Sequence, residues 1–306
     1  MPPAMPIAAS SAPSLDLDPS LATWGVLGAL VVAMLAVDLV VFARDHTPSM
    51  RESVAWSVAW LVVAVGFGAA FWAWQGAEAG GQFFAGYLLE RTLSLDNVFV
   101  FAVIMAYFAV PAAVQPKVLS WGIALALVLR LVFIVAGAAL IHAFDATFYV
   151  FGALLLYTAY KLARHDEAKV DPAHNPALRL MRRVAPNASP LLAVFVVIAT
   201  TDLIFAIDSI PAIFAVTQDP FIVFAANAFA MLGLRALYFL LAGMVDRFAY
   251  LSTGLAVILA FIGAKMLAID IWHVPIWLSL GVIAAVLGAS AALSVSSPPR
   301  NGRPAS

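Results

Sequence analysis

The chain has 306 residues, 64% hydrophobic and 11% charged, with a formal net charge of −1 and a mean hydropathy of +1.00. Soluble domains average about 45–50% apolar and about 25% charged residues, so this composition specifies an all-α polytopic membrane protein with the lipid bilayer as its solvent. The absence of cysteine excludes disulfides, thiolate metal sites, Fe–S clusters and thiol catalysis by the chain itself.

Residues 1–20, rich in Pro, Ser and Ala, contain no Lys or Arg. They lack the basic start of a secretory signal and read as a disordered extracytoplasmic tail. A single transmembrane domain follows over 21–295. A spanning helix needs about 20 apolar residues to cross about 30 Å of hydrocarbon, and nine stretches qualify, at 21–43, 53–74, 80–109, 118–142, 146–163, 190–216, 221–244, 248–269 and 275–294. A polar, basic loop, 164–189, separates the fifth from the sixth, and 296–306 forms a cytoplasmic tail.

Lys and Arg orient the spans, because short cytoplasmic loops retain basic residues. Arg44, Arg51, Lys117, Lys161, Arg164, Lys169, Arg179, Arg182, Arg183, Arg247, Arg300 and Arg303 all fall on one side, and the connections of the other side hold none. This predicts a multi-pass protein of the bacterial inner membrane with its N-terminus outside and its C-terminus in the cytoplasm.

The third span has a counterpart in the sixth. ERTLSLDN (90–97) and DLIFAIDS (202–209) each place an acid, five intervening residues, a second acid and a polar residue. WGIALALVLR (121–130) then matches ANAFAMLGLR (226–235), aligning Arg130 with Arg235, and FGALLLYTAYKL (151–162) resembles TGLAVILAFIGAKML (253–267). Spans 3–5 (80–163) therefore read as a repeat of spans 6–8 (190–269). Three is an odd number of crossings, so the second copy enters from the opposite side, the inverted architecture of many secondary transporters.

Asp38, Glu90, Asp96, Asp202 and Asp208 lie inside spans. Each charge at the bilayer centre costs about 2.5–3.5 kcal/mol, which confines such residues to a protein or water-filled interior. Six residues turn a helix by about 600°, so Glu90 and Asp96 do not share a face, whereas Glu90 and Asn97 do. Either the helices unwind locally or each presents polar groups to two neighbours. Pro211 favours unwinding in the second copy, since its ring frees the Ile207 carbonyl as a further oxygen ligand. Carboxylates, the amides of Asn97 and Asn227, and hydroxyls such as Ser209 are hard donors suited to Mg²⁺, Ca²⁺ or Mn²⁺. His46, His142, His165, His174 and His273 sit in loops or at span ends. The alternative is structural: Arg91, Arg130 and Arg235 pair with the acids as helix glue. An aspartyl dyad from Asp208 with Asp202 or Asp96 is conceivable, but no HExxH, GxSxG or glycine-rich phosphate loop occurs, and no enzyme activity, tightly bound cofactor or nucleic-acid partner is expected.

ERTLSLDNVFVF, the TTDLIFAIDSIPAIFAVTQDPFIVFAANAFAMLGLRALYFLL stretch and the aspartate of LAVDLVVF resemble the TerC/Alx family of integral membrane proteins over about residues 20–295, with the length of the Alx branch. The resemblance implies a bacterial inner-membrane protein of metal homeostasis associated with manganese export, in a family also named for tellurium resistance. It carries the acidic site onto Glu90, Asp96, Asn97, Asp202, Asp208 and Asp38.

The leading expectation is a secondary transporter exporting a divalent cation, Mn²⁺, through a midplane site between the repeats, with Arg130 and Arg235 holding the unliganded acids. Closely spaced carboxylates can exchange protons for metal, which makes protons the expected coupling ion. Two other classes stand beside it. A membrane assembly or metallation factor would act through partner proteins and the 164–189 loop. An exporter of a cationic organic solute would use an aromatic pocket from Phe99, Phe101, Phe205 and Phe214.

Overall fold

A computed structural model describes residues 17, 19–41, 48–144, 146–164, 175–185, 187, 189–241, 250–271 and 274–296. Residues 1–16 and 297–306 of the tails, the 165–174 part of the basic loop, and His46, His165, His174 and His273 lie outside the described residues. Within them every regular element is a helix: α1 (Leu21–Val41), α2 (Met50–Gln75), α3 (Ala77–Tyr107), α4 (Gln115–Ala143), α5 (Ala146–Ala163), α6 (Pro176–Val184), α7 (Pro190–Phe214), α8 (Pro220–Leu232), α9 (Leu234–Leu241), α10 (Leu251–Leu267) and α11 (Ile276–Ser296). Helices satisfy their own backbone groups, which hydrocarbon cannot do for them.

Among the described residues, α1, α2, α4, α5, α7, the α8–α9 pair and α11 are the seven segments long and apolar enough to cross a membrane. The other two predicted spans correspond to α3, 31 residues long but carrying Glu78, Glu90, Arg91 and Asp96, and to α10, which has 17 residues.

Local sequence sets several boundaries. Ser49 and Glu52 form a reciprocal capping box at the start of α2. Ser189 before Pro190 and Asp219 before Pro220 cap α7 and α8, placing proline at the first helical position, where its missing N–H costs nothing. Gly76 alone joins α2 to α3 at φ 91°, a backbone conformation that a side chain would disfavour.

α3 lies at the centre, packed on α2, α7, α8, α9 and α11. α4 packs on α7 and α8, and α1 covers α8 and α4. α5 and α10 run antiparallel at close approach: a Cβ on Gly152 would sit 3.0 Å from the Gly263 carbonyl oxygen, and one on Gly263 would sit 2.9 Å from that of Gly152. The Tyr149 hydroxyl and the Asp270 carboxylate meet farther along the same pair.

Of the two alternatives for the polar stretches the structure takes the second, and the unwinding that Pro211 favoured in the second copy needs revision. α3 is continuous through ERTLSLDN and α7 is continuous through Pro211, so the polar residues reach different neighbours from regular helix. The ring of Pro211 still leaves the Ile207 carbonyl without its helical donor. The break falls instead at Gly233, which separates α8 from α9 inside the predicted seventh span.

Candidate functional site

Arg130, from the middle of α4, reaches between α3 and α7 and is 1% exposed. Its Nη1 donates to Glu90 Oε1 of α3 and, at 3.3 Å, to Ser209 Oγ. Its Nε and Nη2 donate to the two oxygens of Asp202 of α7 at 3.3 and 3.2 Å. This two-pronged grip on a carboxylate is available to a guanidinium but not to an ammonium group. Ser94, one turn beyond Glu90, donates to Glu90 Oε1 at 3.1 Å. Glu90 and Asp202 are both fully buried, which removal from water permits only for charges that are paired and hydrogen-bonded. One oxygen of Glu90, Oε2, has no hydrogen-bond partner.

Beside this cluster is a cavity of about 120 Å³ lined by Asn97, Arg130, Asp208 and Ser209, by Thr158 of α5, and by apolar side chains that include Leu255 and Leu259 of α10. Asp208 Oδ1 accepts from Thr158 Oγ1 at 2.8 Å. Asn97 is 1% exposed, yet neither its Oδ1 nor its Nδ2 has a hydrogen-bond partner. Two carboxylates (Glu90 and Asp202) thus hold one buried guanidinium, and a third, Asp208, lines the adjoining cavity with it. Lys161, exposed on α5, is a second cation near Asp208. The fully buried groups carry a formal excess of one negative charge; half-buried Asp208 raises it to two, and counting Lys161 returns it to one.

Arg235 forms a separate centre. Its Nη2 meets Asp38 Oδ1 of α1 at 2.7 Å and the Asp38 carbonyl oxygen at 2.7 Å, and its Nη1 donates to Ser120 Oγ of α4 at 2.6 Å. Ser120 and Arg130 are ten residues apart on α4, about 15 Å along its axis. Asp38 therefore joins Arg235 and not the deeper acids. Asn227 is fully buried in α8 with both amide atoms unpartnered, and it does not line the cavity. Asp96 lies on α3, and its side chain lies outside the described part of the structure. Among the described residues no group of three or more His, Asp or Glu is gathered closely enough to hold a metal ion unaided.

Arg91, next to Glu90 in sequence, donates to the Ala230 carbonyl oxygen near the C-terminus of α8 at 2.8 Å. A cation there complements the helix dipole. The contact also accounts for the glycine at the break, because a Cβ on Gly233 would lie 2.7 Å from Arg91 Nη1. The sequence reading missed this role and that of Thr158. A glycine inside an apolar run, MLGLR, was the available signal for the first. A threonine in a helix announces nothing by itself.

Fold and site define a multi-pass helical integral membrane protein with a buried, acid-rich polar centre. The model of the integral membrane protein TerC family matches residues 75–301, and the chain belongs to that family. It is 45% identical over 293 residues to "Putative membrane-bound redox modulator Alx" of Salmonella typhi, covering 86% of this chain and 91% of that one. It is 44% identical over 293 residues, with the same coverage, to the protein of that name from Escherichia coli K12. It is also 44% identical over 291 residues to an uncharacterized membrane protein of Myxococcus xanthus, with 89% of this chain and 91% of that one covered. No solved structure matches the chain significantly. The family match begins at residue 75, so α1 with Asp38 precedes it.

Proposed function

We propose that this protein is a secondary transporter that exports a divalent cation, Mn²⁺, from the cytoplasm of a bacterial cell across the inner membrane, in exchange for protons. The observation that carries this reading is the excess of buried carboxylates over guanidinium beside a cavity that Asn97 and Asp208 line. Such an excess is unfavourable in a low-dielectric interior unless a cation or protons compensate it. One divalent ion or two protons neutralise two carboxylates equally well, which is the electrostatic basis for exchanging them. The donors are carboxylate, amide and hydroxyl oxygens, the ligand class of Mn²⁺ and Mg²⁺ rather than of copper or zinc. Asp208 and Asn97 face the cavity and receive the ion, with Asp96 as a further ligand from α3. Arg130 keeps Glu90 and Asp202 in place and gives them up as the ion moves inward.

Packing supports an inverted repeat as the frame for this exchange. Interchanging α3 with α7, α4 with α8–α9, and α5 with α10 turns the α3–α8 contact into the α7–α4 contact and returns α5–α10 to itself, and all these contacts are present. The redox role in the name of the Alx relatives would follow indirectly from altered metal content, since this chain has no thiol to oxidise.

The test is elemental analysis of manganese in stressed cells expressing equal membrane levels of wild type or Asp208→Asn. Wild type should lower cell manganese and the variant should not. Equal manganese in the two strains would make the acids helix glue and favour a role through partner proteins.

A further inference from the structure

We infer that α6 is an interfacial helix that binds the acidic phospholipid headgroups of the adjoining leaflet. Its nine residues, PALRLMRRV, divide into three faces. Leu178 and Met181, three apart, face the protein: Leu178 is buried, and Met181 packs on the main core. Arg179, Arg182 and Arg183 form a second face and are all exposed. Leu180 and Val184, four apart, form the third and are 62% and 77% exposed. Among the described residues no carboxylate pairs with any of the three arginines.

The level of α6 decides what these faces meet. Asn175 caps the helix by accepting from Leu178 N at 3.0 Å, and its Nδ2 donates to Thr200 Oγ1 of α7 at 2.8 Å. Thr200 is ten residues inside α7, about 15 Å from its start, and the intervening sequence PLLAVFVVIA is wholly apolar. α6 therefore runs beside the first turns of a membrane-spanning helix. Leu191 and Leu192 of α7 are also exposed there, at 43% and 47%. Leu180 and Val184 complete an apolar flank suited to the acyl boundary, and the arginines extend to the headgroup phosphates beside it. This division of faces beside the first turns of a span suits the membrane interface, and clustered arginines beside a span select acidic lipids. The interaction is independent of the transport reading, because none of these residues lines the cavity.

The experiment uses the full chain. Wild type and an Arg179→Gln, Arg182→Gln, Arg183→Gln variant are reconstituted in nanodiscs of mixed phosphatidylglycerol and phosphatidylcholine, and the lipids retained on release are counted by native mass spectrometry. Wild type should retain phosphatidylglycerol preferentially, with occupancy falling roughly fivefold for each arginine removed, and the corresponding triple lysine variant should restore much of it. Because the chain has no cysteine, Leu180→Cys in the otherwise native protein gives a single site for an environment-sensitive fluorophore. Nitroxide lipids labelled near the headgroup should quench it. Equal lipid retention by wild type and the glutamine variant would overturn the proposal. So would an unquenched label at position 180, which would leave α6 to a soluble protein partner.

Discussion

Arg130 and Arg235 end matched stretches of sequence and are each 1% exposed, yet they serve different ends. Arg130 stands among carboxylates from α3 and α7 and forms part of a cavity wall. Arg235 joins Asp38 of α1 to Ser120 of α4 and so attaches α1 to the bundle. Burial and residue type do not distinguish them. What differs is how many acids surround the cation and whether a cavity adjoins it: the first centre is built around an excess of negative charge, the second around an attachment.

The largest expected effect comes from Arg130→Gln, which strands Glu90 and Asp202 as buried charges. Removing one partner of a buried pair costs about 3–5 kcal/mol, and the loss should appear as a large fall in the unfolding temperature of the detergent-solubilised protein. Asp38→Asn retains a hydrogen-bonding oxygen for Arg235 and should cost about 1–3 kcal/mol, while leaving transport per folded molecule unchanged. If that variant lost transport while folding normally, the division between the two centres would fail. Gly263→Ala drives a methyl group against the Gly152 carbonyl oxygen and the Leu156 backbone, both within about 3.1 Å. Overpacking of this kind costs about 1–3 kcal/mol, measurable by the same thermal assay. The smallest effect is that of Thr158→Val, which removes one hydrogen bond to Asp208 worth about 0.5–1.5 kcal/mol. It should shift metal affinity more than stability, as a titration of Mn²⁺ binding would reveal.

Much of this arrangement was legible in the sequence because charge inside an apolar span has few destinations. Glu90, Asp202 and Arg130 had to find one another in the interior, and they did. The separation of Glu90 from Asn97 by seven residues correctly kept both on the inner side of α3. Partner choice was not legible: nothing in the chain announces that Asp38 goes to Arg235 while Asp202 goes to Arg130, since this depends on how far each helix slides along its neighbour. Pro211 drew attention to the wrong helix. A proline only removes one donor, and α7 stays helical through it, whereas Gly233 leaves room for a guanidinium arriving from α3. α6 could have been found from Asn175-Pro176 followed by alternating Leu and Arg, the signature of a capped amphipathic helix, but the basic residues of that loop read first as a topology signal.

The excess-charge site is tested most directly in proteoliposomes carrying a pH dye in the lumen, with an imposed Mn²⁺ gradient and equal amounts of folded wild type or Asp208→Asn. Asp208 contributes a charged ligand worth about 1.5–3 kcal/mol, roughly 10-fold to 150-fold in rate. Wild type should move Mn²⁺ and protons in opposite directions, more weakly at low pH where protons compete for the same carboxylates, and Asp208→Asn should fall by that factor. Asp208→Asn transporting as fast as wild type, or wild type moving no Mn²⁺, would contradict the site.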